Sequence, residues 1–370
     1  NAMEIIHDPE IDVVVELMGG LERAREYILQ AMEQGKHVVT ANKALLAEYG
    51  REIYAAAEKY GVSLAFEASV GGGIPVIRSL NAGLAANRIE KIMGILNGTS
   101  NYILTKMTKQ GIPYQEAVRE AVNLGYAEDP PTLDVDGTDA AHKLAILISI
   151  ACGHPVSFGE IHREGIDRLT PEDIRFAGEF GYQLKLLAIS RWKGDRVEAR
   201  VHPALIPKDH ILANIDWAYN AIYFEGDFVG PNLYYGLGAG KKPTGSAVVS
   251  DIMDLARHTK LGLKGLMPPL AHVRPPEKVV QIQPMEELVS AYYFRFSAVD
   301  RPGVLSRISG ILGDNQISIY SVIQKGRKEN GSVPLVMLTH EARESSVLKA
   351  LSLMDELEVV TDQTIMIRVE

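Results

Sequence analysis

Three strands and two helices are legible in the first seventy residues from apolar spacing alone. VVVEL, Val13 to Leu17, is almost unbroken apolar chain and stops at Gly19 and Gly20, the pattern of a buried strand that ends in a turn. Asp8-Pro9-Glu10 before it predicts a short helix start. A helix is predicted from about Glu22 to Gln34, stopped by Gly35, because glycine ends helices readily. KHVVTANK then predicts a second strand, a further helix runs through Ala55, and GVSLAFEAS predicts a third strand. Strand and helix in alternation are assembled most simply as a parallel sheet with helices on its faces.

After the Gly-rich turn SVGGGIP the pattern predicts a helix to about Ala86, a strand near Ile89 to Leu96, and several helices up to Cys152. YQLKLLAISRW and RVEARVHPALIP alternate like paired antiparallel strands, as do segments around Ala221 to Tyr235, so this region reads as α+β. From Thr244, TGSAVVSDIMDLARH has one more amphipathic helical period. Pro268, Pro269, Pro275, Pro276 and Pro284 mark a linker. Beyond it, AYYFRFSAV predicts a strand, and PGVLSRISGILGDN a helix with Val304, Leu305, Ile308, Ile311 and Leu312 on one face. ISIYSVI follows as a strand, Asn330-Gly331 as a hairpin signal, and VPLVMLT as the next strand. A helix centred on Leu348, Leu351 and Met354 and a strand at Ile365 to Val369 complete the order βαββαβ, a ferredoxin-like unit.

A length of 370 residues implies two or three domains. With 46% hydrophobic and 23% charged residues the chain reads as globular, and a net charge of -9 argues against nucleic acid or an anionic membrane as the main partner. The one cysteine, Cys152, excludes an intramolecular disulfide and fits a reducing cytoplasm. Its approach, Leu144 to Cys152, is the longest apolar run and falls far short of the roughly 20 residues that span a bilayer. Asn1-Ala2-Met3 has neither the charged nor the apolar segment of a signal peptide. Ordered pattern begins abruptly at Glu4, so the natural protein is expected to start earlier.

Candidate chemistry concentrates in GYAEDPPTLDVDGTDAAHKLAILIS, Gly125 to Ser149. Glu128, Asp129, Asp134 and Asp136 precede Gly137, while Asp139 and Lys143 lie four apart and share a helix face. An acidic first turn with a solvated ion pair is one reading. The other is a cleft that fixes an amine and presents one ammonium to a reacting oxygen. Lys43 lies just past the carboxyl end of a strand, where open α/β sheets bind ligands, although a surface lysine fits the same spacing. Neither Gly71 to Gly73 nor Gly236 to Gly240 completes G-x-G-x-x-G, yet the second precedes a helix whose N-terminus suits an anion. Ten histidines lack zinc spacing, and His142 reads as a packed or solvated helix residue. With no G-x-S-x-G and no plausible cysteine nucleophile, hydrolase readings fall away.

Taken in order, VVELMGG, VVTANK, EASVGGGIPVI, NGTSNYIL, GYAE with DVDGTDAAHKLAIL, and GAGKKPTGSAVVSDI resemble homoserine dehydrogenase of the long bacterial type, and DRPGVLSRISGIL resembles an ACT domain. The resemblance implies reduction of L-aspartate 4-semialdehyde to L-homoserine with NADPH or NADH, in threonine, methionine and isoleucine biosynthesis. It implies Lys143 as proton donor, Lys43 on the opposite wall against the reacting oxygen, and Glu128, Asp139, Asp134 and Thr99 as substrate contacts, with Ser100 beside Thr99. Gly19, Gly125, Gly240 and Lys43 would line the cofactor, and Glu67, Val70, Gly72 and Ile74 would hold a sodium ion, largely through carbonyl oxygens.

The same resemblance implies a partial Rossmann-type nucleotide domain at 1–75 completed by about 238–262, a mixed α+β catalytic and dimerisation domain at 76–237, a linker at 263–286, and a ferredoxin-like ACT domain at 287–370. Asp300 and Gly303 at a strand-to-helix turn, with Asn315 at the next turn, would hold an amino-acid effector, threonine by resemblance. A capped helix and a tight turn explain the same residues without a ligand. A homodimer or homotetramer follows from the habit of ACT sheets to pair. Two departures stand out. The family's Glu-Ala-Asp-Pro-Thr is here Glu128-Asp129-Pro130-Pro131-Thr132, which displaces the second carboxylate by one position, and the G-x-G-x-x-G turn is missing, so this chain is expected to bind cofactor poorly. The competing class is a non-catalytic amino-acid sensor on an inactive scaffold, which the joint retention of Glu128, Asp139 and Lys143 disfavours.

Overall fold

The structure is a computed structural model that describes residues 1–263, 268–272, 279–325 and 331–370. Pro275, Pro276 and Asn330, which the sequence marks as linker and hairpin, lie outside the described residues.

Strands Val13–Glu16, His37–Thr40 and Leu64–Ala65 form a parallel sheet in that order, connected by helices Glu22–Glu33 and Lys43–Tyr60. The middle strand is buried throughout, as expected for a parallel sheet covered on both faces. Three local expectations are corrected. The opening helix is Ala2–His7, capped by the Asn1 side chain; Asp8-Pro9-Glu10 is its exit, where Asp8 Oδ1 accepts the Glu10 N–H at 2.9 Å, the competition that acidic turn residues win against a helix. The third strand shortens to two residues because the chain folds into a 3-10 turn at Glu67–Ser69. After the Gly-rich turn only Val76–Arg78 is α-helical, followed by a π turn at Ser79–Gly83, since Asn81 and Gly83 are poor helix formers.

Among the described residues the remaining strands form one sheet of twelve. Tyr182–Lys193 and Arg196–Pro207 pair along their whole length, from Tyr182 opposite Pro207 to Lys193 opposite Arg196. Ile89–Ile95 joins Tyr182–Lys193 on its other side, followed by Tyr219–Gly226 and Gly230–Leu237. In the C-terminal βαββαβ unit, Val289–Val299 lies between Ser332–Thr339 and Ile365–Val369, with Ile319–Gln324 at the far edge. The two parts do not stay separate. Ile365–Val369 pairs in parallel with Arg196–Pro207, Arg368 opposite Ala204 and Val369 opposite Leu205, so the sheet runs on from one unit into the other.

Helix Thr138–Cys152 is buried along its whole length apart from a partly buried Ala151. It enters from Gly137, at φ 87°, and leaves at Gly153, at φ 69°, positions glycine adopts at little steric cost. It packs against helix Lys43–Tyr60 on one side and the long hairpin on the other. In the C-terminal unit the buried helix faces are Val304, Ile308, Leu312 and Val347, Ala350, Met354, packed on Tyr292, Phe294 and Phe296. Leu305 and Leu348, expected inside, are 42% and 45% exposed; Val304, Ile308, Leu312 and Met354 of the same expected faces are buried, so only the margins of those faces are corrected. Among the described residues, no helix is long and apolar enough to cross a membrane.

Truncating Leu147, fully buried on the central helix, to alanine is expected to cost about 2–5 kcal/mol. Leu348→Ala on the corrected outer face should stay within about 0.5 kcal/mol. Urea midpoints of the two variants check the assignment.

Candidate active site

An apolar helix that runs through the interior carries its charged residues inward with it. Asp139 and Lys143 are each 8% exposed, and their spacing of one turn brings Lys143 Nζ to 2.6 Å from Asp139 Oδ2. Lys143 Nζ also donates to the Leu96 carbonyl at 2.6 Å. An ammonium has three N–H donors, so one remains for a further acceptor. Asp139 is surrounded in turn: Asn97 Nδ2 donates to Oδ2 at 2.9 Å, and Lys43 Nζ lies 3.3 Å from Oδ1. Burial is the largest single influence and would raise the Asp139 carboxyl; the charges of Lys143 and Lys43 and the hydrogen bonds from Lys143 and Asn97 outweigh it and hold the group at about 2.

Lys43 opens helix Lys43–Tyr60, where the positive end of the helix dipole disfavours a cation. Asp139 offsets that cost. Asn42 caps the same helix through the Leu45 N–H at 3.2 Å, and its Nδ2 donates to the Gly20 carbonyl at 2.7 Å. Glu16, at the end of its strand, accepts from the Met18 and Gly19 N–H groups at 2.9 and 3.1 Å and from Thr40 Oγ1 at 2.7 Å. Gly19, Gly20 and Lys43 are thereby gathered at the carboxyl edge of the parallel sheet, the ligand crevice of such folds.

Asp134 enters the same cluster from the short helix Thr132–Val135. Asn97 Nδ2, which also holds Asp139, donates to Asp134 Oδ1 at 2.7 Å. Burial raises the Asp134 carboxyl, Asn97 opposes this, and the Asp139 charge adds to the rise. Two neighbouring carboxylates are thus pushed apart in acidity, one ionised far below neutrality and the other protonated first. Thr99 is buried and donates to the Tyr126 carbonyl at 2.5 Å; Ser100 Oγ turns away to Asn97. Glu128 is exposed on the loop after Gly125, and among the described residues no hydrogen bond or ion pair ties it to the cluster. His142, next to Lys143 on the helix, packs on the Phe158 ring at 4.2 Å between centroids, as a packed helix residue.

The two Gly-rich turns close on one another. A Cβ at Gly72 would lie 2.5 Å from the Gly238 carbonyl oxygen, and one at Gly73 2.9 Å from Pro243 Cβ. Gly240 has φ 114° and caps helix Lys241–Lys260. Gly125, at φ 73° with nothing within 4 Å of its Cβ position, ends helix Tyr114–Asn123. Glu67 is buried and accepts from the Ile77 and Arg78 N–H groups, both at 2.8 Å; burial pushes it up to about 7 despite those bonds. Val70 and Ile74 are buried on the same turn, and Gly72 has φ 57°. Among the described residues no group of three or more His, Cys, Asp or Glu side chains could hold a metal.

At the C-terminal unit, Asp300 and Gly303 line a cavity of about 390 Å³ with Arg301, Pro302, Gln324 and Leu335. Asn315 sits at the other end of helix Val304–Asp314, where its Nδ2 bonds Ile311 O at 2.8 Å; eleven residues of helix, about 16 Å, separate it from Gly303.

Two site residues escape the sequence reading. Asn97 bridges both carboxylates while its Oδ1 caps helix Gly98–Gln110 through the Ser100 N–H at 2.8 Å; an asparagine before a helical run is the cap signal that marks it. Asn220, fully buried, donates to the Leu96 carbonyl that Lys143 also uses, at 2.9 Å, and nothing local in its strand points to it.

The model of the homoserine dehydrogenase NAD-binding domain matches residues 1–67, that of homoserine dehydrogenase residues 75–253, and that of the ACT domain residues 292–357. Homoserine dehydrogenase of Neisseria gonorrhoeae is 46% identical over all of this chain and 85% of its own length; that of Pseudomonas aeruginosa is also 46% identical, over all of this chain and 86% of its own. The crystal structure of a homoserine dehydrogenase from Thiobacillus denitrificans superposes with a TM-score of 0.92 at 48% identity, covering all of this chain and 84% of that one. A hyperthermophilic archaeal homoserine dehydrogenase in complex with NADPH gives 0.61 at 28% identity, over 70% of this chain and 75% of that one. A cationic donor buried against a carboxylate at the edge of a nucleotide-type sheet, and relatives of this identity along the whole chain, lead to one conclusion: the chain belongs to the homoserine dehydrogenase family, oxidoreductases with a nucleotide-binding domain, and carries an ACT domain.

Proposed function

We propose that Lys143 protonates the carbonyl oxygen of L-aspartate 4-semialdehyde as its carbon is reduced, and accepts the hydroxyl proton of L-homoserine in reverse. The observation that carries this is the donor count at Nζ: Asp139 and Leu96 take two N–H groups and leave one. Reduction turns the carbonyl oxygen toward an alkoxide. An ammonium about 4 Å away at an effective dielectric near 20 lowers its energy by on the order of 4 kcal/mol, roughly a thousandfold in rate. Asp134, Asp139 and Glu128 hold the substrate ammonium, Thr99 lines the pocket, and Lys43 faces the reacting oxygen from the opposite wall.

When bound, the nicotinamide of NADP or NAD supplies the hydride. Gly19, Lys43, Gly125 and Gly240 would hold this cofactor, and the crevice at Glu16 and Thr40 supports it, with Gly19 and Lys43 tied to one edge. A sodium ion would be held at Glu67, Val70, Gly72 and Ile74. Support comes from the carboxyl of Glu67, buried and raised to about 7 with only two backbone N–H groups on it, an environment that a hard cation completes.

The ACT cavity at Asp300 and Gly303 would take an amino-acid effector, threonine by family habit, with the helix N-terminus suited to its carboxylate. Asn315 then serves a neighbouring ACT unit rather than its own, in a homodimer or homotetramer. Edge strand Ile319–Gln324, with Tyr320 exposed, supports sheet pairing of this kind. We divide the chain into a nucleotide-binding part at 1–75 with 238–262, a catalytic part at 76–237, a connection at 263–286 and an ACT part at 287–370.

Lys143→Ala is expected to fold, and to lose about a thousandfold in kcat for L-homoserine oxidation; turnover near that of the parent would refute the proton-transfer role. Because the Asp134 carboxyl is raised, it protonates before Asp139 as pH falls. The homoserine KM should therefore climb on the acid side while kcat holds, and Asp134→Asn should raise KM at all pH and flatten that limb; steady-state profiles of both proteins decide it. Exchange of sodium for tetramethylammonium should lower the melting temperature of the parent and leave Glu67→Gln unmoved, as read by calorimetry.

A further inference from the structure

Arg368, on the last strand, is 1% exposed. Its guanidinium grips both oxygens of Glu164, Nη1 at 3.0 Å and Nη2 at 2.9 Å, and both oxygens of Glu344, Nε at 3.0 Å and Nη2 in a shorter contact. The Tyr292 hydroxyl holds Glu344 as well, at 2.7 Å. Glu344 and Tyr292 belong to the C-terminal βαββαβ unit. Glu164 does not: it follows the short strand His162–Arg163, which runs beside Arg196–Pro207.

The turn that carries Glu164 is pressed against the entry to the catalytic helix. Ile166 N–H donates to the Val135 carbonyl at 2.9 Å, and Glu164 N–H to the Val201 carbonyl at 2.8 Å. A Cβ at Gly165 would lie 2.7 Å from the Val135 oxygen, and one at Gly137 3.3 Å from the Glu164 carbonyl oxygen. Two glycines therefore let two backbones touch. The backbone touched, Val135 to Gly137, joins Asp134 to the helix that begins at Thr138 and carries Asp139 and Lys143.

We infer that Arg368 is a positioning residue for the dehydrogenase reaction: through Glu164 it fixes the turn 163–166, and through that turn the Val135–Gly137 connection that sets Asp134 against Asp139. A residue of the C-terminal unit thereby sets the geometry of carboxylates in another unit. This rests on the reading of Asp134 and Asp139 as substrate contacts. A bidentate guanidinium gives direction as well as charge, and the glycine contacts leave the turn little freedom to shift without moving Val135.

The test takes Glu164→Gln, Arg368→Met and the double variant of the full chain. Homoserine and NADP KM, kcat, melting temperature and amide hydrogen exchange at residues 135–139 are measured for each. Glu164→Gln should raise the homoserine KM about fivefold, leave the NADP KM unchanged and speed exchange at 135–139; the double variant should be no worse than the worse single one, since the two side chains act as one link. A folded Glu164→Gln with homoserine KM within about twofold of the parent, or with a lower melting temperature and both KM values raised alike, would overturn the inference. Arg368→Met leaves the buried Glu344 without its guanidinium and the half-buried Glu164 with His162 alone, and is the variant at risk of misfolding; Glu164→Gln alone then decides. If the parent shows no homoserine turnover, exchange at 135–139 alone judges the link: unchanged protection in Glu164→Gln overturns it.

Discussion

An ammonium and a carboxylate kept ionised on a helix that is otherwise interior is the constraint on which the rest of the molecule depends. Burial of either charge by itself costs several kcal/mol, so Lys143 and Asp139 demand one another and a surrounding set of fixed dipoles. Leu96 supplies a carbonyl, Asn97 an amide, and Lys43 a second positive charge. Each of those partners comes from a different element: a strand end, a helix cap, and the first residue of a helix in the nucleotide-binding part. The charge pair thus requires the two parts of the molecule to meet, and where they meet is the crevice that substrate and nucleotide would share.

The same logic separates the two aspartates. Asp139 has two cations within reach and is held low despite burial, while for Asp134 burial and the Asp139 charge outweigh Asn97, Lys143 and Thr99 and raise it. Asn97 stands between them with its two N–H donors directed one to each. A neutral donor in that place holds both carboxylates without discharging either.

Much of this was legible in the sequence where the signal is local. The i, i+4 spacing of Asp139 and Lys143, the glycine before them and the apolar run after them describe a buried helix with a charged start, and that is what forms. Lys43 after VVT announced the end of a parallel strand. What was not legible depends on partners far along the chain. Whether Leu305 joins Val304 against the sheet depends on the width of the buried stripe, which the apolar spacing of Val304, Leu305, Ile308, Ile311 and Leu312 leaves free. Glu128 belongs to the motif yet sits on an exposed loop, since a motif fixes order along the chain and not inward direction. Asn220 and the mutual approach of Gly72 and Gly238 exist only because distant turns are brought together. The pairing of Ile365–Val369 with Arg196–Pro207 leaves no trace in either segment, because the apolar content of each marks a buried strand and not its neighbour.

That pairing sets an order of events during synthesis. Arg368 and Glu164 are 204 positions apart, and contacts of such separation form late because the intervening chain must first be closed. A ribosome delivers the long hairpin well before the strand that borders it. In the interval Ala204 and Leu205 lack the strand that pairs with them, and Glu164 faces His162 and water. A nascent chain in that condition is a template for foreign strands. The newborn protein is therefore open to self-association at that edge until Ile365–Val369 arrives, and chaperone contacts should be concentrated there.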